Sequence, residues 1–117
     1  MIKVYGIPNC NSVKKALDWL KQHKIAFEFH DYKKLGIDKA TLTEWIKQVG
    51  REVLVNQKGT TWKALDAEVQ QSITNDKAAI QLMLDKNSVI KRPVIVTGNK
   101  IIVGFDEAVY KAELRKK

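Results

Sequence analysis

The stretch that most constrains this chain runs from Ile2 to Leu20, IKVYGIPNCNSVKKALDWL. Ile2, Val4 and Tyr5 form a short β-branched and aromatic run, the pattern of a buried strand. Gly6, Pro8 and Asn9 then punctuate a sharp loop. Beyond it Val13, Leu17 and Leu20 recur at helical spacing, with Ala16 and Trp19 beside them. The chain's one cysteine, Cys10, falls where loop becomes helix. Asn11 or Ser12 is the natural N-cap, since a short polar side chain there can accept a bond from an orphan backbone N–H. Cys10 is therefore expected at the positive end of a helix, where a thiolate, the reactive form of the group, is stabilised.

The rest of the chain extends this unit. The first helix is expected from about Ser12 to His23, and Ala26 to His30 alternates like a second strand. A strand–helix–strand unit of this length favours a parallel pair. Asp31 to Ile37, polar and carrying Gly36, reads as a loop. Asp38 caps a helix with Leu42, Trp45, Ile46 and Val49 on one face, and Gly50 ends it. A helical turn through Val53-Leu54-Val55 follows. Asn56 to Gly59 breaks it, and Thr60 or Thr61 restarts a helix carrying Trp62, Leu65 and Val69. Asn75 caps another, with Ile80, Met83 and Leu84 inward.

Strand character returns at Val94 to Thr97 and at Lys100 to Val103. The two-residue turn Gly98-Asn99 between them is a strong hairpin signal. Gly104-Phe105 breaks the second strand, and Asp106 caps a final helix with Ala108, Val109, Ala112 and Leu114. The order β-α-β, helices, β-β-α specifies an α/β fold, a four-stranded mixed sheet with helices on both faces. This is the thioredoxin-like (glutaredoxin-like) arrangement. At 117 residues the chain is read as one domain over 1–117, with an all-helical insertion at about 38–86.

Charge and cysteine usage narrow the function. The net charge is +8, but only three of the 21 basic residues are arginine (Arg51, Arg92, Arg115). The longest basic block is Arg115-Lys116-Lys117. Arginine supplies the bidentate contacts that nucleic-acid readout needs, so scattered lysines argue for a solvated surface favouring small anionic partners and against nucleic acid. No apolar run reaches the length of a membrane span, and Met1-Ile2-Lys3-Val4 reads as a strand start rather than a signal peptide. A lone cysteine without an export signal suits a reducing compartment, and the chain is expected to be cytoplasmic. A monomer is expected, because no apolar stripe is left over.

Taken alone, a single cysteine is more often a small buried hydrophobe than a nucleophile. Its place at a helix start, with Lys14 and Lys15 one turn on, favours reactivity. Arg92-Pro93 precedes the hairpin at a position where a missing N–H does least harm. Its functional reading is a cis peptide opposite the cysteine loop, with Arg92 aimed at an oxyanion, although X-Pro bonds are rarely cis. His23 and His30 read as surface or dipole-compensating residues. No cluster has metal-ligand spacing and there is no glycine-rich phosphate loop, so neither a metal nor a tightly bound cofactor is expected.

Four segments, in order over nearly the whole chain, resemble the arsenate reductase-related (ArsC/Spx) family of bacterial type. They are Tyr5 to Ser12, Lys58 to Lys63, Arg92-Pro93 and Gly104-Phe105; the Gly-Thr-Thr-Trp segment is similar to that of the YffB-like branch. The resemblance implies that Cys10 attacks the substrate and that Arg92, ahead of a cis Pro93, binds an oxyanion. Asn11, Ser12, Lys14, Pro93 and Gly104 would contact the substrate. For the YffB-like branch it implies a thiol reductase using glutathione as co-substrate, with Arg92 and nearby lysines holding the glutathione carboxylates. Two other activities occur in the family. Arsenate reductases, coupled to glutaredoxin, carry further arginines at positions near Asn56 and Gly104, where this chain has none. Spx regulators, which contact RNA polymerase, switch through Cys-x-x-Cys, and position 13 here is Val.

Overall fold

The computed structural model describes residues 2–114, so Met1 of the first strand and the basic block 115–117 lie outside the described residues. The chain divides into two compact units, one of residues 1–35 and 92–117, the other of residues 36–91.

The first unit contains the sheet. Strands β1 (Ile2–Gly6), β2 (Phe27–Asp31), β3 (Val94–Thr97) and β4 (Lys100–Val103) lie in the order β2-β1-β3-β4. β1 pairs with β2 in parallel, as a strand–helix–strand crossover dictates, and both other pairings are antiparallel. One row crosses the whole sheet: Phe29 lies beside Val4, Val4 beside Ile95 and Ile95 beside Ile102. Helix α1 (Asn11–Gln22) covers this row with Ala16, Trp19 and Leu20, and α8 (Glu107–Leu114) adds Tyr110. Each of these large side chains is worth roughly 1.5–3 kcal/mol of burial. Gly6 ends β1 beneath α1, and a methyl group there would lie 2.8 Å from Val13 Cγ2. The hairpin turn is as expected, with Gly98 at φ 61.

The other unit is helical apart from one bridge between Val55 and Ile90. It holds α3 (Lys39–Val49), α4 (Arg51–Leu54), α5 (Thr60–Lys63), α6 (Ala67–Ser72) and α7 (Asp76–Asp85), then a 3₁₀ turn at Asn87–Val89. The expected caps form: Asp38 accepts from the Thr41 N–H at 2.8 Å and Asn75 from the Ala78 N–H at 2.8 Å. Gly50 ends α3 with φ 87, a conformation that costs glycine little. Arg51 ties α4 to the start of α7, bonding Asp76 at 3.0 Å and the Thr74 carbonyl at 2.9 Å.

Local expectations fail in four places. The cap of α1 is Cys10 itself, not Asn11 or Ser12. The loop expected over 31–37 contains a helical turn, α2 (Tyr32–Leu35). The helix expected to carry Trp62, Leu65 and Val69 is two helices, because Asp66 turns extended between α5 and α6; Val69 is left exposed. On α8 the inward residues are Tyr110 and half-buried Leu114, whereas Ala108, Val109 and Ala112 are exposed. The Tyr110 ring, absent from the apolar face expected for this helix, is fully buried. Among the described residues no helix is long and apolar enough to cross a membrane.

The Tyr110 hydroxyl donates to the Gly104 carbonyl at 2.7 Å, so Tyr110→Phe leaves a buried acceptor unsatisfied. We expect this substitution to lower unfolding free energy by about 1–3 kcal/mol in urea titration.

Candidate functional site

Strand directions bring three distant segments to one edge of the sheet. Gly6 at the end of β1 pairs with Asp31 at the end of β2, so the loop to Cys10 and the turn starting at Tyr32 emerge together. β3 runs the other way beside β1, with Val94 opposite Tyr5, so Arg92 and Pro93 enter at that same edge. β4 leaves there too: Val103 pairs with Val94, and the Gly104 N–H donates to the Pro93 carbonyl at 2.8 Å. The Arg92–Pro93 peptide is cis.

Cys10 caps α1 with extended dihedrals (φ −108, ψ 127), and its carbonyl accepts the first helical bond, from the Lys14 N–H at 2.9 Å. The side chain is half-buried. Burial alone would push its thiol pKa up. That effect is outweighed by a hydrogen bond from Arg92, by the Val13 amide, by the Arg92 charge and by the Ser12 amide, so the thiol titrates below its ordinary value. The cation acting on the sulfur is thus Arg92. Lys14 and Lys15 stand exposed on α1.

Arg92 is half-buried. Burial works against its charge, but the hydrogen bond to Cys10 and the charge and hydrogen bond of Tyr32 hold its pKa above the ordinary arginine value. Tyr32 is fully buried. Burial, helped by Cys10 and Asp31, pushes its phenol up to about 12 despite the nearby Arg92 charge and the Arg92 hydrogen bond. At neutral pH the three groups are therefore a thiol biased toward thiolate, a guanidinium and a neutral phenol.

The structure thus joins Cys10 and Arg92 directly, with buried Pro93 next to Arg92 and Gly104, at φ 88, bonded to Pro93. Asn11, Ser12 and Lys14 have exposed side chains on the first turn of α1; Ser12 acts on the sulfur through its main-chain N–H. Tyr32 was missed. Its signal was available in the parallel pairing expected of the two strands, because the residue after β2 must emerge beside the loop after β1. Among the described residues no group of three His, Cys, Asp or Glu could hold a metal ion. His23 caps the end of α1, its Nδ1 2.8 Å from the Trp19 carbonyl, and His30 packs on Tyr5 with ring centroids 4.6 Å apart.

A half-buried thiol of lowered pKa can, once ionised, attack a disulfide sulfur or another soft electrophile, while the guanidinium can meet an anion. Ionisation also couples to folding. Because the folded thiol titrates below its unfolded value, it adds stability above the unfolded thiol range, and this is lost as pH falls through the folded midpoint. We expect alkylation of Cys10 by iodoacetamide to show a pH midpoint below the unperturbed value of about 8.5. Arg92→Ala should return the midpoint toward that value and slow alkylation at pH 7 roughly tenfold, since a close opposite charge shifts a pKa by about 1–3 units.

Comparison with known proteins gives the chain relatives. Residues 5–113 match the ArsC family. An uncharacterized protein of Haemophilus influenzae is 44% identical over 112 residues, spanning 96% of this chain and 97% of its own length. A solved structure described as a YFFB protein is 41% identical and superposes with a TM-score of 0.93, covering 97% of this chain and 99% of its own. The global transcriptional regulator Spx of Streptococcus agalactiae is 27% identical over 109 residues, 92% of this chain and 78% of the regulator.

Proposed function

The chain belongs to the ArsC family, and we propose that within it this protein is a glutathione-dependent monothiol reductase of disulfides. The observation that carries this reading is the Cys10 sulfur held at the head of α1 by the Arg92 guanidinium and the Val13 and Ser12 amides. The Cys10 thiolate attacks the glutathione sulfur of a glutathionylated substrate; a Cys10–glutathione disulfide forms and the substrate thiolate leaves and takes up a proton. A second glutathione, having lost its proton, attacks that mixed disulfide, releasing oxidised glutathione and regenerating the Cys10 thiolate. Two electrons pass from glutathione to the substrate, and no second cysteine is required.

Arg92 serves this cycle twice. It stabilises the thiolate before attack and meets a glutathione carboxylate once the sulfur is in a neutral disulfide. Lysines near the site add to the attraction for an anionic tripeptide, Asn11, Ser12 and Lys14 line the approach, and the Pro93 and Gly104 backbone faces the substrate. A reducing compartment such as the cytoplasm supplies the glutathione. Arsenate reduction has less support: the residues at the positions of that activity's further arginines are Asn56 and Gly104, and a tetrahedral dianion would lose two bidentate clamps. A regulator working through a Cys-x-x-Cys switch is excluded by Val13, although binding to RNA polymerase without such a switch has the likeness to Spx in its favour.

The test is reduction of a glutathionylated peptide by glutathione, followed through glutathione reductase and NADPH. Cys10→Ser should fall to the uncatalysed rate. Arg92→Ala should raise the KM for glutathione roughly tenfold or more, the loss of a charge-assisted bond worth about 1.5–3 kcal/mol. Unchanged rates in Cys10→Ser would remove the reading; a polymerase complex that survives Cys10→Ala would then replace it.

A further inference from the structure

At the site Arg92 meets both Cys10 and Tyr32, and the chemistry consumes the first of these interactions. In the resting protein its guanidinium bonds both the Cys10 sulfur and the Tyr32 side chain. When the sulfur enters a disulfide its negative charge disappears, and with it the ion pair. The guanidinium is needed at that moment for the incoming anion, yet a long, half-buried side chain released from its counter-charge regains rotamer freedom.

We propose that Tyr32 is the positioning residue that keeps Arg92 over Cys10 throughout the cycle, whatever the state of the sulfur. This rests on the reading of Cys10 as the nucleophile and assigns Tyr32 no contact with substrate. Three observations carry it. Tyr32 is fully buried, so its ring has a single fixed place. It directly follows β2, whose last residue pairs with Gly6, so its place is set by the sheet that also delivers Cys10. Its side chain bonds Arg92, and a guanidinium has only donors, so the phenol oxygen is the acceptor.

The partnership suits the task. A carboxylate in the same place would neutralise Arg92 and compete with both thiolate and substrate anion. The phenol, held neutral by its burial, takes one N–H and leaves the charge for the reacting side. Its surroundings fit the same role: the groups acting on it are Arg92, Cys10 and Asp31, and Asp31 is engaged by the Lys33 N–H at 3.0 Å.

The test is Tyr32→Phe, which keeps the ring and removes the acceptor. Alkylation of Cys10 at pH 7 should slow roughly threefold, with the pH midpoint moving toward the ordinary thiol value of about 8.5, as expected for partial loss of a positioned charge. In an Arg92→Ala background the same substitution should change neither rate nor midpoint, because Tyr32 acts only through Arg92. The KM for glutathione should rise more than kcat falls. A merely structural tyrosine would lower the urea midpoint and leave the thiol pH profile where it was, and that result overturns the proposal. So does an equal effect in both backgrounds.

Should Tyr32→Phe not fold, the wild-type protein decides the matter. With Cys10 capped by iodoacetamide, Arg92 loses its sulfur partner and should still show separate, slowly exchanging Nη resonances by NMR. Fully averaged resonances would mean that Tyr32 does not hold it. Alkylation and NMR require no reductase turnover, so they test Tyr32 even if glutathione is not the thiol donor. Loss of the reductase reading is instead signalled by Cys10→Ser retaining full rate.

Discussion

A sulfur anion half-sheltered from water persists only where donors replace the water it has lost. At the head of α1 the replacements are a guanidinium and two main-chain amides, and they work against burial, which is the largest single effect on Cys10 and disfavours the thiolate. Together Arg92 and the helix amides reverse it. The sheet order follows from this need. A parallel β1–β2 pair and an antiparallel β3 together deliver a helix start, a turn and a strand entry to one edge. A different strand order would separate Cys10 from Arg92, whatever the quality of the core.

The support behind that edge is mostly main chain. Gly104 lies opposite Pro93 and donates to its carbonyl, and the buried Tyr110 hydroxyl donates to Gly104 in turn. Helix α8, last in the chain, is thereby bonded to the segment that carries Arg92. Gly6 makes a similar contribution at the other side of the site: without a Cβ it lets Val13, and so the first turn of α1, settle against the end of β1. These contacts set where the sulfur sits. They are glycine and backbone features, and side-chain chemistry alone does not disclose them.

What was legible in the residues follows a physical division. Periodicity and turn chemistry act over a few residues, so the four strands, the Gly98-Asn99 turn and the caps at Asp38, Asn75 and Asp106 could be read directly. The pairing of β1 with β2 followed from crossover handedness. Cys10 as its own helix cap was not legible, because statistics of capping favour oxygen side chains and cannot weigh a distant guanidinium. Tyr32 was hidden for a related reason: a polar run with a glycine resembles a loop, and the partner that makes Tyr32 matter is Arg92, far along the chain. The break between α5 and α6 escaped because Trp62, Leu65 and Val69 keep helical spacing across it. Lys14 and Lys15 show the converse error, since nearness in sequence suggested an electrostatic role that Arg92 holds instead.

The distance in sequence between Cys10 and Arg92 has a consequence for the chain as it is made. The cysteine leaves the ribosome well before its guanidinium, the bond to Gly104 and the helix that secures it, all of which come more than eighty residues later in the chain. Until then the thiol has only its local helix amides, if the helix has formed at all, and the contribution of Arg92 to its acidity is absent. The lowered pKa of the Cys10 thiol is therefore a property of the folded sheet rather than of the Cys10 loop alone. A nascent or unfolded copy carries a thiol without the guanidinium that lowers its pKa in the folded chain, so its sulfur ionises less readily before the sheet has closed.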